Sequence, residues 1–141
     1  MHGFKAIFLG SSSVNLELLA LPDQAVVTVS ESIDWDSMIA SNVDIPVVAD
    51  LDDFGASPLN VYRFSREAER LGIGAAAFDD RMPLNRATAY QVPGVLPRAR
   101  MIDNIHAAAD GRTDMVLIAP LPCSDSEQFV HRDAGPGRCL C

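Results

Sequence analysis

Four short apolar runs, separated by helical patterns, constrain this chain more than any other feature. Ala6-Ile7-Phe8-Leu9 runs into Gly10-Ser11. Pro46-Val47-Val48-Ala49-Asp50-Leu51, Ala75-Ala76-Ala77-Phe78 and Met115-Val116-Leu117-Ile118-Ala119 follow it. Runs this short and this continuously apolar read as strands buried on both faces. Between them, Ser57 offers a capping hydroxyl and Pro58 fills the first helical position, which predicts a helix over residues 59–71 that stops at Gly72. Thr28 and Glu31 have capping-box spacing and predict a helix to about Ala40, after an extended stretch Val26-Val27-Thr28-Val29, with Ser30 as a competing cap. Met101, Ile102, Ile105, Ala108 and Ala109 make one apolar helical face that Gly111 closes. A loop over 81–97, punctuated by Pro83, Pro93 and Pro97, precedes that helix. Strands alternating with helices need crossover connections, so the class is α/β with a parallel sheet. A flavodoxin-like sheet and part of a barrel both satisfy the pattern. No glycine-rich dinucleotide fingerprint or P-loop lysine follows any strand, which weighs against the nucleotide-binding versions.

The 141 residues suffice for one domain with a single core, and 48% hydrophobic with 21% charged residues is ordinary for a globular protein. A net charge of −8 argues against a nucleic-acid partner, because phosphate contacts need a basic face. No apolar run approaches the ~20 residues of a membrane helix, so no membrane association is expected. Met1-His2-Gly3-Phe4-Lys5 lacks the apolar stretch of a signal peptide, and the expected location is cytoplasmic. After Ala119 the pattern stops: residues 120–141 hold three prolines, three cysteines and two glycines with no helical or strand period. Cys123, Cys139 and Cys141, even with His131, match no familiar zinc spacing and form no disulfide framework. The expected organisation is a domain over 1–119 and an irregular tail over 120–141.

Acids stand at the ends of two strands: Asp50, Asp52 and Asp53 after one, Asp79 and Asp80 after another. In parallel β/α architecture the C-terminal strand ends converge on one face, where ligands bind. Asp50 and Asp52 are two apart and point the same way from an extended backbone. Carboxylates held together disfavour one another's ionisation, and a hard dication with oxygen ligands relieves that cost. Spacing alone leaves helix caps and solvated loop positions as an open alternative.

Four segments in order carry a resemblance: Leu21-Pro22-Asp23, Asp50-Leu51-Asp52-Asp53-Phe54-Gly55, Asp79-Asp80, and the strand ending at Ala119-Pro120-Leu121-Pro122. Pro58-Leu59-Asn60-Val61 and Glu69-Arg70-Leu71-Gly72-Ile73-Gly74-Ala75-Ala76 fall between them. Together they resemble the isocitrate lyase / phosphoenolpyruvate mutase superfamily over roughly residues 4–119, nearest its oxaloacetate decarboxylase and phosphonomutase-like branch. The resemblance implies a parallel β/α barrel of the TIM type, here about the first half of one. It implies Mg²⁺ held by Asp23, Asp50, Asp52 and Asp79, partly through water. It implies a small 2-oxo or 2-hydroxy acid bound by Gly10, Ser11, Ser12 and Asp50, with Arg86 as the catalytic cation of a mobile loop. The implied reaction breaks a C–C or P–C bond while the metal stabilises an enolate.

The departures from that pattern are specific. Asp79 stands where the family has Glu, and Asp53-Phe54-Gly55 replaces Thr-Gly-(Tyr/Phe). Asn85-Arg86-Ala87-Thr88-Ala89 lacks the Cys and His of the isocitrate lyase loop, so cleavage of that type is not expected. Pro120 occupies the position of the family's substrate-carboxylate arginine, and proline cannot replace a bidentate cation. A barrel needs eight strands and about 250 residues, against four strands here. The chain therefore reads as a truncated barrel, through a frameshift after Ala119 or as a natural half barrel, and a homo-oligomer is expected to cover its exposed edges. Three readings follow: an Mg²⁺-dependent lyase, decarboxylase or mutase; a catalytically inactive remnant or dimeric binding module; or an unrelated α/β domain with an acidic pocket.

Overall fold

The computed structural model describes residues 3–22, 26–52, 57–80 and 96–119. The four apolar runs form strands β1 (Ile7–Leu9), β2 (Val47–Asp50), β3 (Ala75–Ala77) and β4 (Val116–Ile118). They make one sheet in the order β1-β2-β3-β4, every neighbouring pair parallel. A flavodoxin-like sheet reverses its strand order at a switch point, whereas barrel strands run in sequence order. The sequential order decides for the barrel. Among the described residues no helix is long and apolar enough to cross a membrane.

Helices α1 (Ser11–Leu19) and α2 (Val29–Ala40) lie between β1 and β2, α3 (Pro58–Arg70) between β2 and β3, and α4 (Arg98–Gly111) between β3 and β4. The predicted caps are in place. Thr28 Oγ1 accepts from Glu31 N at 3.3 Å while Glu31 Oε2 accepts from Thr28 N at 2.8 Å, closing the capping box. Ser57 Oγ accepts from Asn60 N at 3.3 Å with Pro58 at the first helical position.

Two expectations need correction. Val26-Val27-Thr28-Val29 is not a strand: Thr28 is the N-cap and Val29 is already helical, because the capping box commits the backbone at that point. The buried stripe of α4 is also turned from the expected one. Asn104, Ala108 and Gly111 are buried and Met101 half-buried, while Ile102, Ile105 and Ala109 are exposed. Small residues win the inner face because α3 approaches closely there. A Cβ built on Gly111 would collide with the Tyr62 carbonyl and crowd Ser65. Gly111→Ala is therefore expected to cost about 1–3 kcal/mol by overpacking, measured as a lower urea midpoint with unchanged slope.

Residues paired across parallel strands point to the same side, so the register sorts the sheet into two faces. Leu9, Ala49, Ala76 and Leu117 form a row on one side. That side meets the core, where Ala49, Ala76 and Leu117 pack with Ile33, Val61, Phe64, Ala68 and Ala108 from the helices. Phe8, Val48, Ala75 and Val116 form a row on the other side, with Asp50, Ala77 and Ile118 in the next row toward the C-terminal ends. This second face is open at its two edge strands, against the burial on both faces expected of β1 and β4: Phe8 is 60% exposed, Val116 57% and Ile118 39%, while Ala75 and Ala77 between them are buried.

One half-buried carboxylate braces the last strand. Glu69, near the end of α3, accepts from the backbone N–H groups of Thr113, Asp114 and Met115 at 2.7, 2.5 and 2.8 Å. Those bonds favour its charged form and hold its carboxyl below the usual range. They also fix the turn that feeds β4.

Candidate functional site

The acids converge where β2 and β3 end. Asp50 is the last residue of β2, and its register partner Ala77 closes β3 two residues before Asp79. Asp79 N donates to the Asp52 carbonyl at 3.0 Å, which ties the two strand-end loops together. Asp52 adopts φ +48°, a left-handed conformation that a short polar side chain tolerates better than most. Its N–H turns back toward Asp50 Oδ1 at 3.5 Å. Backbone held in that region next to a carboxylate pair marks a place where geometry is imposed rather than relaxed.

Ser11 joins the two carboxylates. Its backbone N–H donates to Asp50 Oδ2 at 3.4 Å and its hydroxyl donates to Asp52 Oδ1 at 3.1 Å. Ser11 is buried and opens α1, so the positive end of that helix faces the anionic cluster. Gly10 is the N-cap of α1 and Ser12 is its next, exposed residue, so Gly10-Ser11-Ser12 is a helix start.

Asn15 is the residue that sequence reasoning missed here. It is buried one turn after Ser11, its Nδ2 donates to the Ser11 carbonyl at 2.9 Å, and its Oδ1 accepts from Val27 N at 3.2 Å. It clamps the helix start to the chain entering α2. The only signal in the sequence was an amide four residues after Ser11. Asp80, 5% exposed, has an Oδ1 without a hydrogen-bond partner among the described residues. Asp36 on α2 is fully buried, and neither of its oxygens has a partner among those residues. Burial first, and then the charge of Asp50, push its carboxyl up to about 7.

Of the expected metal set, Asp50, Asp52 and Asp79 are thus linked through hydrogen bonds at one end of the sheet. Asp23 and Arg86 lie outside the described residues, as do Asp53-Phe54-Gly55, Pro120 and the cysteine-bearing tail. Among the described residues no three His, Cys, Asp or Glu side chains stand in metal-holding geometry. The donors present are hard oxygens at the positive end of a helix. That set fits a cation that keeps most of its waters and takes only one or two carboxylates directly, as magnesium does.

Residues 1–121 match the family model described as phosphoenolpyruvate phosphomutase. This chain belongs to that family. An oxaloacetate decarboxylase from Chromohalobacter salexigens is 33% identical over 134 residues, covering 92% of this chain and 46% of its own length. An oxaloacetate acetylhydrolase in complex with the inhibitor 3,3-difluorooxalacetate superposes with a TM-score of 0.74 at 29% identity, covering 83% of this chain and 41% of its own. A phosphonopyruvate hydrolase in complex with oxalate and Mg²⁺ superposes with a TM-score of 0.71 at 27% identity, covering 83% and 40%. The phosphomutase family, in the isocitrate lyase / phosphoenolpyruvate mutase superfamily, is the one the motifs indicated, and its TIM-type barrel is the fold to which this sheet belongs. The chain spans less than half the length of the relatives it matches.

Proposed function

We propose that this chain carries the cation- and carboxylate-binding part of an Mg²⁺-dependent lyase or mutase, one that breaks a C–C or P–C bond in a small 2-oxo or 2-hydroxy acid. The observation that carries this reading is the Ser11 bridge between Asp50 and Asp52 at the N-terminus of α1. Relatives whose names specify oxaloacetate, and a neighbour holding oxalate with Mg²⁺, support the substrate class. Asp23, Asp50, Asp52 and Asp79 would hold the ion, in part through water. When bound, it supplies a Lewis acid for the oxygen that gains charge as the bond breaks. Gly10, Ser11 and Ser12 would take the substrate carboxylate, the Ser11 N–H and hydroxyl turning to it from Asp50 and Asp52 once the ion is held by those two acids. Asn15 keeps that helix start in register, and Arg86 supplies a cation to the reacting end. The protein is read as cytoplasmic, without nucleic-acid or membrane partners, and as a homo-oligomer.

A second reading, an inactive barrel remnant or dimeric binding module, is favoured by Pro120, which stands at the position of the family's carboxylate-binding arginine. Calorimetric titration with Mg²⁺, alone and with oxalate, followed by turnover assays on oxaloacetate and phosphonopyruvate, separates the two. Mg²⁺-dependent turnover supports the enzyme, and binding without turnover supports the module. No Mg²⁺ binding at millimolar concentration sinks the enzyme and points to the inactive remnant.

A further inference from the structure

We infer that Asn15 is a positioning residue for both halves of the proposed site. Its amide nitrogen holds the carboxylate-binding start of α1, and its amide oxygen holds one end of the segment that carries Asp23. The inference rests on the proposed cation and carboxylate site and gives that site a residue outside the motifs.

Asn15 is 3% exposed, and its amide has a donor end and an acceptor end. Nδ2 donates to the Ser11 carbonyl at 2.9 Å, and Oδ1 accepts from Val27 N at 3.2 Å. Only one orientation of the amide satisfies both, since a carbonyl needs a donor and an N–H needs an acceptor. An apolar side chain loses both bonds, and a short hydroxyl loses one.

The nitrogen acts on the carboxylate side. Ser11 and Ser12 open α1, where backbone N–H groups have no acceptor inside the helix. Ser11 N faces Asp50 instead, and the Ser11 hydroxyl faces Asp52. The peptide that joins Ser11 to Ser12 is planar, so a grip on the Ser11 carbonyl also fixes the direction of the Ser12 N–H. Gly10, the N-cap, has no side chain to steady this turn, and the bond from Asn15 takes that place.

The oxygen acts on the cation side. Residues 22–26, with Asp23 among them, follow α1 and precede the cap of α2. Helix α1 ends on Ala20 in a left-handed conformation, and Leu21 N then donates to the Asn15 carbonyl at 3.5 Å. Beyond the segment, Val27 donates to the Asn15 side chain and leads into Thr28, whose capping box fixes the start of α2. Both flanks of the segment are therefore bonded to one buried residue. Losing the Val27 bond frees one flank while the other stays on α1.

Two variants divide these roles. Asn15→Ala removes both side-chain bonds. Asn15→Ser keeps a hydroxyl that donates back to the carbonyl four residues earlier, as helical serines do, and is too short to reach Val27. Both are compared with the 141-residue native protein by calorimetry, with Mg²⁺ alone and then with oxalate at saturating Mg²⁺. Circular dichroism first establishes that each variant is folded. Asn15→Ala is expected to lose about tenfold in each affinity, the loss usual for a partner that orients a metal ligand. Asn15→Ser is expected to lose about tenfold for Mg²⁺ and to keep its oxalate affinity within about twofold. In metal-free protein the Val27 amide is expected to exchange faster in both variants.

Native affinity for both ligands in Asn15→Ala overturns the inference and leaves the proposed site standing. Equal losses of both in Asn15→Ser also overturn it, because a helix merely weakened by a buried substitution loses the two together. If Asn15→Ala does not fold, Asn15→Ser decides alone, by the same split. Unchanged Val27 exchange in Asn15→Ser overturns the anchoring whatever the ligands do. A native protein that binds no Mg²⁺ overturns the proposed site itself, and this inference with it.

Discussion

Raising the pH from 4 to 7 is expected to remove on the order of 3 kcal/mol of stability through Asp36, a loss that Asp36→Asn should abolish. Asp36 sits on α2 one turn beyond Ile33, on the helix face that packs toward the sheet, and is 0% exposed. Its two oxygens have no hydrogen-bond partner among the described residues. An ionised carboxylate there pays for desolvation with nothing in return, so the native state keeps the proton. Its carboxyl stays protonated up to about 7, against an ordinary value of 3.8 in the unfolded chain.

Between those two values the folded state binds one more proton than the unfolded state. Stability therefore falls as pH rises, by about 1.4 kcal/mol per pH unit, and levels off above the folded value. This is opposite to the usual behaviour of a salt-bridged aspartate. Asp36→Asn carries no charge at any pH, so it should match the native protein near pH 4 and exceed it at pH 8. Urea unfolding across that range is the measurement. A native protein whose stability rises from pH 4 to 7, or a variant that follows the same profile as the native chain, would sink the account.

The strands and the caps were legible in the sequence because their signals are local. A continuous apolar run, Ser57-Pro58, and the Thr28/Glu31 pair each specify their structure within a few residues. The barrel order also followed from the motifs, since strand-end acids keep their order and separation. What escaped was set by distant contacts. Helix α1 opens on three serines, poor helix formers, with no side-chain cap, and it is held by Asn15 reaching Ser11 and Val27. The face of α4 was misjudged because hydropathy favours Ile102 and Ile105, whereas the close approach of α3 at Gly111 demands small residues. The two isoleucines are left exposed. Asp36 was invisible because one acid in an amphipathic helix ordinarily faces solvent. Of the site itself, Ser11, Asp50, Asp52 and Asp79 were named from the sequence and lie together, and their roles, like those of Asp23 and Arg86, are proposals.

Asp50→Ala is expected to weaken Mg²⁺ binding by at least about 100-fold and to remove any Mg²⁺-dependent turnover. The expectation exceeds that for an ordinary ligand because Asp50 does three jobs at once. It would supply a carboxylate oxygen to the ion, it accepts the N–H of Ser11, and it holds the left-handed turn at Asp52 through the N–H of that residue. Losing an orienting partner of a metal ligand alone costs roughly 10–100-fold in affinity.

A trivial explanation, that the variant unfolds, is separable because the two effects run in opposite directions. Asp50 charge is one cause of the raised Asp36 carboxyl. Removing it should let Asp36 ionise at lower pH, so the apo variant is expected to lose less stability between pH 4 and 7 than the native protein does. Asp50→Asn divides the roles further. Its amide oxygen can still accept from Ser11, so the α1 start should stay in place while cation binding falls as it does in Asp50→Ala. Near-native Mg²⁺ affinity in either variant, measured by calorimetry on folded protein, would remove Asp50 from the metal set and leave the strand-end acids as caps alone.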